Sequence, residues 1–451
     1  MSRARTLFFC TDCGHEASRW EGQCPGCGAW NTLVEAPRDA AAGRGGRTPA
    51  AGQAVRPLRA VTHSAGARLR TGIGEFDFVL GGGLVPGSLL LVGGEPGIGK
   101  STLLLQAAAA LRAAGVATLY VSGEESAAQV RLRADRVGHG AVDVDFVAET
   151  DVDAVIEFAR TLPGGVVFID SIQTMNATDA EGSPGNVTQI RECAARLQRF
   201  AKGAGTAVVL VGHLTKDGSV AGPRMLEHMV DTVLYFEGAA GLDHRVLRAT
   251  KNRFGGVDEI GVFRMTPGGL EAAEDPSAVF LSSRASEVSG TAVLAAIEGT
   301  RPLLVEVQAL CTRASYGAPQ RVADGFDRQR LALLLAVLER RAGIAFGAFD
   351  VFLNVAGGVR VSEPAADLAV AAALVSAARD RPVPSGSVFA GEVGLGGEVR
   401  RVGQIERRLT EAARLGFLQG WVPPASDPVR VKGLRVIPVV DLAALVGDAF
   451  P

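Results

Sequence analysis

The sequence contains few lysines and no long apolar run, and both absences restrict what the protein can be. Of its 46 basic residues, five are lysines, namely Lys100, Lys202, Lys216, Lys251 and Lys432. A compact ammonium and a planar guanidinium are not interchangeable at a phosphate, so a lysine within a motif is informative. No apolar segment is long enough for a membrane helix, and the N-terminus has no secretion signal. We therefore expect a cytoplasmic protein with no membrane partner.

Cysteine is also scarce, and four of the six cysteines fall in the first thirty residues. They form two C-x-x-C-G knuckles, Cys10 with Cys13 and Cys24 with Cys27. Two knuckles offer four thiolates for a closed zinc site, whose metal would supply the folding energy of so short a segment. Disulfides are the alternative, although they are rare in cytosolic proteins. We predict a zinc module over residues 1–35, with Trp20 and Trp30 in its core, and a flexible linker over residues 36–56.

A glycine-rich segment, Gly94–Ser101, matches the phosphate-binding template G-x-x-x-x-G-K-[ST] at every fixed position. An apolar run precedes it as a predicted strand, and a predicted helix follows. Backbone amides of such a loop surround phosphate oxygens, Lys100 reaches the outer phosphates and Ser101 ligates Mg²⁺. A glycine-rich turn without a ligand is the alternative. The predicted nucleotide contacts are Gly94, Glu95, Pro96, Gly97, Ile98, Gly99, Lys100, Ser101 and Thr102.

Further residues at the ends of predicted strands suit nucleotide hydrolysis. Asp170 ends a buried apolar strand, as a Walker B carboxylate does, and would hold Mg²⁺ through water. Glu124 and Glu125 follow a neighbouring strand, and we predict that Glu124 activates the attacking water. The alternative is a capping or solvated acidic pair that opens the next helix. His213 ends another strand, at the position expected for a γ-phosphate sensor.

The segment Lys251-Asn252-Arg253-Phe254-Gly255 resembles the signature of a known family. Together with the zinc module and the phosphate loop, it is similar to the bacterial RadA (Sms) family of RecA-like ATPases over the whole chain. The resemblance implies a DNA repair and recombination ATPase, related in form to the hexameric DnaB helicase. Such a protein moves along single-stranded DNA and drives branch migration with the RecA recombinase. We predict that Lys251 and Arg253 act as trans fingers on a neighbouring subunit's nucleotide; a solvated basic turn is the alternative.

Two loops are candidates for a DNA channel. Because the net charge is only −2, DNA binding requires a local basic surface. Residues 178–187 precede a helix that bears Arg191, and residues 215–224 contain Lys216 and Arg224 among glycines. In the RecA-like fold such loops line a central pore, where amides and cations follow the phosphates. The predicted DNA contacts are Lys216, Arg224, Arg191 and Lys251; mobile surface loops with incidental charge are the alternative.

From Asp275 onward the sequence resembles the proteolytic domain of Lon protease, above all in the segment Gly391–Val399. The position of the Lon nucleophile is Ala365 here, and the position of its lysine base falls near Arg408. Arginine stays protonated and cannot act as a base. We therefore predict a scaffold domain without a Ser-Lys dyad. Candidate contacts to duplex DNA are Arg313, Arg321, Arg328 and Arg330.

Strands that alternate with helices predict an α/β protein with a parallel sheet covered on both faces. The predicted domains are the zinc-ribbon module, a RecA-like P-loop ATPase core over residues 57–274 and a Lon-protease-like α/β domain over residues 275–451. The expected cofactors are ATP, Mg²⁺ and Zn²⁺. Expected partners are single-stranded and branched DNA, the RecA recombinase and other copies of the chain in a hexameric ring. The expected activity is that of an ATP-driven DNA motor of the helicase type; the alternatives are a recombination mediator that uses ATP as a switch, an ATP-regulated kinase or clock-type ring, and an ATP-dependent protease.

Overall fold

The chain divides into two compact units. The structure is a computed structural model that describes residues 8–10, 16–17, 19–26, 28–35, 68–213, 225–238, 243–281, 288–314, 318–425 and 429–450. Unit 1 consists of Met1–Glu237, Leu247–Val257 and Thr266–Leu270, and unit 2 consists of Gly238–Val246, Asp258–Met265 and Glu271–Pro451. The chain therefore passes repeatedly between the units before residue 274, where the sequence predicts a single boundary.

The N-terminal ribbon contains three short antiparallel strands in the order β2-β1-β3. They are β1 (Phe8–Cys10), β2 (Glu16–Ala17) and β3 (Leu33–Glu35). Its small apolar centre contains Cys10, Cys24 and Leu33. Trp20 and Trp30 are 54% and 69% exposed. The prediction that both tryptophans form the core is therefore wrong, because the buried cysteines and Leu33 fill so small a centre.

A parallel sheet forms the centre of unit 1, with the strand order β9-β4-β8-β7-β5-β6. These strands are β4 (Leu89–Gly94), β5 (Thr118–Ser122), β6 (Asp145–Ala148), β7 (Val166–Asp170), β8 (Ala207–His213) and β9 (Thr232–Glu237). The helices are α1 (Gly74–Val79), α2 (Lys100–Ala113), α3 (Ala127–Val137), α4 (Val152–Ala159), α5 (Val187–Ala204) and α6 (Met225–Met229). Strands β4, β5 and β7 are buried throughout, as expected for continuous apolar runs covered on both faces.

Three strands contain residues of both units. They are β10 (His244–Asn252), β11 (Ile260–Thr266) and β12 (Gly269–Ala272). The part of β10 that belongs to unit 1 includes Lys251 and Asn252, so the predicted signature segment begins at the end of this strand.

Unit 2 is built on a mixed seven-stranded sheet with the order β15-β16-β14-β13-β17-β20-β21. Its strands, with a separate hairpin of β18 and β19, are β13 (Thr291–Glu298), β14 (Arg301–Arg313), β15 (Arg321–Asp324), β16 (Phe349–Val355), β17 (Ser387–Phe389), β18 (Glu392–Val393), β19 (Val399–Arg400), β20 (Gln419–Val422) and β21 (Arg435–Pro438). The helices are α7 (Pro276–Val279), α8 (Arg328–Ala342), α9 (Ala366–Arg379), α10 (Ile405–Arg414) and α11 (Leu442–Ala449). Helix α9 is alanine-rich and buried over most of its length, so it lies in the largest apolar core of the unit.

No helix in the described part of the chain combines the length and the apolar character needed to cross a membrane.

Candidate functional site

The predicted nucleotide site lies at the carboxyl edge of the unit 1 sheet. Strand pairing sets Gly94 beside His213 and Ser122 beside Asp170. Ligands of open parallel sheets bind at this edge. Four strand ends therefore meet where the phosphate loop begins, and Glu124 follows one of them by two residues. The side chain of His213 and the loop with Lys216 and Arg224 lie outside the described residues.

The phosphate loop joins β4 to α2, which begins at Lys100. Gly94, Gly97 and Gly99 have φ angles of 156°, 77° and 116°, which glycine adopts without strain. A Cβ atom at Gly94 would lie 2.8 Å from the Phe236 carbonyl oxygen, so the strand leaves room for glycine alone. Within the described chain no side chain caps the N-terminus of α2. Its first amides are thus available to a phosphate group, which fits a nucleotide. Of the other predicted contacts, Glu95 and Pro96 are exposed, Ser101 is half-buried, and Ile98 and Thr102 are buried.

Lys100 is 4% exposed. Its Nζ atom donates to the carbonyl oxygens of Gly94 at 2.7 Å and of Glu95 at 2.8 Å. Burial lowers the pKa of Lys100, although the nearby carboxylates of Asp170 and Glu124 act in the opposite direction. Phosphate oxygens are stronger acceptors for an ammonium than these carbonyls are. Lys100 is therefore held inside the loop where a bound phosphate would be.

Asp170 has a partner that the sequence analysis missed. The buried Tyr120 hydroxyl on β5 donates to Asp170 Oδ2 at 2.8 Å. Burial, and next the negative charge of Asp170, raise the pKa of Tyr120 well above its ordinary value, so the phenol stays protonated as a donor. The bond orients a carboxylate that is itself only 5% exposed and is suited, with Ser101, to hold Mg²⁺. The chain contains only three tyrosines, and this rarity is the one feature of the sequence that could have drawn attention to Tyr120.

Glu124 and Glu125 point to different partners. Glu124 accepts a hydrogen bond from the Ser171 hydroxyl, next to Asp170. Glu125 accepts from Arg133 Nη2 at 2.6 Å, which ties its carboxylate to α3. A Cβ atom at Gly123 would lie 2.2 Å from Thr174 Oγ1, so glycine allows this close approach. Glu124 is therefore bonded next to Asp170, whereas Glu125 is paired with α3.

The alternative role for the acidic pair, capping of α3, is excluded by the structure. Ser126 is the N-cap of α3, and its hydroxyl accepts from the Gln129 amide while the Gln129 side chain accepts from the Ser126 amide. This reciprocal capping box satisfies the first turn. Neither glutamate is needed at the helix terminus.

Cys10 and Cys24 are the two predicted zinc ligands within the described residues. They are 0% and 1% exposed. The Gly26 amide donates to Cys24 Sγ at 3.3 Å, and the Thr32 hydroxyl oxygen lies 3.1 Å from Cys10 Sγ. A backbone N–H directed at a sulfur atom stabilises a thiolate, so this donor set fits Zn²⁺. Cys13 and Cys27 lie outside the described residues.

The side chains of Lys251 and Arg253 bind to α6 and to the two residues between α6 and β9. Lys251 Nζ donates to the carbonyl oxygens of Glu227 and, at 2.8 Å, of Val230. Burial, followed by the nearby charge of Arg253, lowers the pKa of Lys251. Arg253 Nη1 forms an ion pair with Asp231 at 3.0 Å, and half of the Arg253 side chain remains exposed. The two cations thus lie side by side at one end of the sheet.

One of the two predicted DNA loops lies within the described residues, and hydrogen bonds from a buried side chain hold its base in place. Residues 181–186 are exposed, as is Arg191 in the helix that follows. The buried Gln189 side chain donates to the carbonyl oxygens of Ala180 at 2.7 Å and Gly182 at 3.1 Å. It also accepts from the Ala177 amide at 2.8 Å. Gln189 therefore fixes the base of a loop whose outer residues face solvent.

Comparison with known proteins identifies the same three regions. An AAA domain model matches residues 55–219, a rubredoxin metal binding domain model matches residues 8–35, and a model of the Lon protease (S16) C-terminal proteolytic domain matches residues 340–432. The DNA repair protein RadA of Bacillus subtilis is 47% identical over 98% of this chain and 98% of its own length. The DNA repair protein RadA of Brucella abortus is 50% identical over 99% of this chain and 98% of its own. The chain belongs to the RadA family.

The comparisons confirm the predicted order of domains: a zinc ribbon, an ATPase domain, matched by an AAA model, and a Lon-type C-terminal domain. The cofactors of a RadA family chain with these domains are ATP and Mg²⁺ in the ATPase domain and Zn²⁺ in the ribbon. Among solved structures, the RadB recombinase is 23% identical over 46% of this chain and 100% of its own length, with a TM-score of 0.38.

The Lon-type domain of this RadA family chain has alanine at the predicted position of the Lon nucleophile and arginine near the predicted position of the Lon base. Ala365, at the nucleophile position, is 1% exposed, and Arg408 is 4% exposed. Arg408 Nη1 and Nη2 donate to the Glu363 carboxylate at 2.9 and 2.6 Å. The same guanidinium donates to the carbonyl oxygens of Ala295 at 2.6 Å and Gly403 at 2.9 Å. An ion pair with two further backbone hydrogen bonds therefore lies near the predicted position of the Lon lysine base.

Two of the four arginines predicted to contact duplex DNA also donate hydrogen bonds within unit 2. Arg330 Nε donates to the buried Asp367 at 2.9 Å. Arg321 Nη2 donates to the Phe346 carbonyl oxygen at 2.8 Å. Arg313 and Arg328 are exposed and stay candidates for DNA contact.

Proposed function

We propose that this chain is an ATP- and Mg²⁺-dependent DNA motor, which converts hydrolysis between neighbouring subunits into movement on single-stranded and branched DNA. Membership of the RadA family supports an ATP hydrolase with a role in recombination and DNA repair. Helicase-type movement, the hexameric ring and cooperation with the RecA recombinase are the finer parts of the proposal.

The distance between the signature cations and their own phosphate loop is the observation that carries the proposal. Asp231, the partner of Arg253, exchanges hydrogen bonds with Leu89 at the first residue of β4: its amide donates at 2.8 Å, and its Oδ2 accepts from the Leu89 amide at 3.1 Å. The phosphate loop begins at the other end of β4, at Gly94. Five strand residues at about 3.3 Å each separate the two ends by about 16 Å.

This separation prevents Lys251 and Arg253 from reaching the nucleotide of their own subunit. Both would meet a phosphate only if a second subunit presented its loop to this end of the sheet. A cation supplied in trans stabilises the charge that develops on the transferred phosphoryl group, so hydrolysis depends on the relative position of two subunits. That dependence is what a motor requires.

Mixing two inactive variants tests the trans arrangement. Lys251→Ala should leave ATP affinity within about twofold but reduce DNA-stimulated hydrolysis by on the order of 10³-fold, the range of a lost trans cation. Lys100→Ala should be inactive because its own loop cannot bind ATP. Mixed rings should regain hydrolysis, since the intact loop of the first variant meets the intact motif of the second. The exposed Lys202→Ala is the matched control and should behave as the parent protein.

Absence of complementation between Lys251→Ala and Lys100→Ala would argue against the trans role. Strand displacement on a forked duplex, with and without ATP, tests the motor itself. A protein that binds DNA in an ATP-dependent manner without displacing a strand would instead be a recombination mediator. Transfer of label from ATP to protein would indicate a kinase, and degradation of casein would indicate a protease.

A further inference from the structure

Arg68 joins two segments that are far apart in sequence. Its Nη1 atom donates to the carbonyl oxygen of Leu80 at 2.8 Å, and more weakly to that of Gly83 at 3.4 Å. Its Nη2 atom donates to the carbonyl oxygen of Phe254, 186 positions along the chain. One guanidinium therefore connects the glycine turn after α1 to the signature segment.

The backbone of Arg68 is fixed by its neighbour. Leu69 pairs with Leu84 through two hydrogen bonds of 2.8 and 2.9 Å. A Cβ atom at Gly83 would lie 2.6 Å from the Leu69 carbonyl oxygen, so the two segments are in close contact there. The backbone from which the Arg68 side chain extends is therefore fixed, and its planar guanidinium starts from a rigid position.

The signature segment packs against the same turn. Asn252 Nδ2 donates to the Leu80 carbonyl oxygen at 3.4 Å, and Asn252 Oδ1 accepts from the Phe254 amide at 3.0 Å. A Cβ atom at Gly255 would lie 2.8 Å from Asn252 Nδ2 and 3.4 Å from Gly81 Cα. Asn252 and Gly255 therefore shape a close contact, and Arg68 adds the bond across it.

Arg253 lies between two backbone restraints. Its own amide donates to the Asp231 carbonyl oxygen at 3.0 Å, and the carbonyl of the next residue, Phe254, accepts from Arg68. The Arg253 side chain is 51% exposed and pairs with Asp231 at 3.0 Å, so its direction depends on this backbone and on that one ion pair. Removing Arg68 would free the peptide that follows Arg253 while leaving the Asp231 side in place.

We propose that Arg68 is the positioning residue for the signature segment: its guanidinium holds the Phe254 carbonyl against the Leu80–Gly83 turn and so aims Arg253 at the nucleotide of the neighbouring subunit. This inference rests on the trans role proposed above. Arg68 touches neither nucleotide nor metal, and it acts through the direction of Arg253.

Arg68→Ala is the direct test. DNA-stimulated kcat should fall by about 10- to 100-fold, the effect of a reacting group displaced by roughly 1 Å. ATP affinity should stay within about twofold, because the phosphate loop keeps its own contacts. Arg68→Lys should recover part of the loss, since an ammonium can donate to one of the two segments but cannot reproduce the planar fork that joins both. The exposed Arg70→Ala, two residues further on, is the matched control and should keep the parent rate.

Mixed rings separate this inference from the trans role itself. Arg68→Ala mixed with Lys100→Ala should regain hydrolysis, because the first variant has an intact loop and the second an intact motif. An unchanged rate for Arg68→Ala, or an equal loss of ATP affinity, would overturn the inference. If Lys251→Ala complements Lys100→Ala but Arg68→Ala does not, Arg68 acts elsewhere and the trans role stands. If neither complements, the trans role falls, and the inference with it.

Discussion

Lys100 in unit 1 and Arg408 in unit 2 are both 4% exposed, yet their charges are balanced in different ways. Lys100 donates to two carbonyl oxygens of the glycine-rich loop, at 2.7 and 2.8 Å. Arg408 donates twice to the Glu363 carboxylate and also to two backbone carbonyls. Backbone acceptors of a loop can be replaced by phosphate oxygens, whereas removal of the carboxylate partner would leave the buried Arg408 cation unpaired.

The surroundings of the two cations reinforce this difference. Burial lowers the pKa of Lys100, and the negative charge of a bound phosphate would raise it again. Phosphate binding therefore offsets the desolvation of the buried Lys100 ammonium. The Arg408 pair is already balanced within the protein. A buried cation is thus a binding group where its acceptors are exchangeable, and a structural group where they are not.

The largest expected effect is on Arg408. Arg408→Met leaves the partly buried Glu363 carboxylate, whose side chain is 18% exposed, without its cation. We expect the free energy of unfolding of unit 2 to fall by about 3 kcal/mol, the lower end of the range for a broken buried pair. Urea unfolding followed by the fluorescence of Trp421 measures this change. Trp421 is 3% exposed, whereas Trp20 and Trp30 are more than half exposed. Because these are the three tryptophans of the chain, buried-tryptophan emission reports on unit 2.

Arg407→Met on the same helix is the matched control for Arg408→Met. Arg407 is exposed and donates to Gln404 Oε1 at 2.8 Å, so we expect a change within about 0.5 kcal/mol. Neither variant should alter ATP affinity. A destabilisation of less than about 1 kcal/mol for Arg408→Met would show that the pair is not structural, and the comparison would fail.

In contrast to Arg408→Met, Lys100→Ala should lower the affinity for ATP and leave the stability of unit 2 unchanged. Two charge-assisted hydrogen bonds to phosphate are lost, so ATP affinity should fall by about 100-fold or more in calorimetric titration. The unfolding midpoint of unit 2, reported by Trp421, should not move, because Lys100 lies in unit 1. Retained ATP affinity in this variant would refute the assignment of the loop.

Tyr120→Phe should have the smallest effect. It removes one hydroxyl donor from Asp170, a loss of about 1 kcal/mol that corresponds to a roughly fivefold higher Mg²⁺ concentration for half-maximal hydrolysis. Tyr235→Phe is the matched control, since its hydroxyl donates to Glu227 rather than to Asp170. An identical Mg²⁺ dependence in both variants would leave Tyr120 with a packing role only.

Much of the candidate site was predictable because its residues follow motifs along one chain direction. Lys100, Asp170 and Glu124 come after strands whose carboxyl ends must meet at one edge of a parallel sheet. Apolar runs predict strands over Thr118–Ser122 and Val166–Asp170, which are the bounds of β5 and β7, and over residues 207–211, which β8 extends to His213. These signals are local in sequence, so no tertiary information is needed to recognise them.

The remaining contacts depend on partners that sequence spacing does not reveal. Tyr120 looks like a core residue of a buried strand until β7 brings Asp170 to its hydroxyl. Arg68 comes after the predicted linker, and the acceptor on which its proposed role depends, the Phe254 carbonyl oxygen, is 186 positions away. Glu363 becomes informative only when the fold carries it to Arg408. In each case a long-range polar pairing, rather than a local pattern, determines the role of the side chain.

Arg68 also determines where a shortened chain can begin. A protein that starts after this residue would retain the phosphate loop, Asp170 and the whole signature segment, and would still be expected to bind ATP. It would have lost the only side chain, among the described residues, that donates to the Phe254 carbonyl. Deletion of the zinc ribbon therefore tests the ribbon alone only if the remaining chain includes Arg68; a later starting point removes two functions at once.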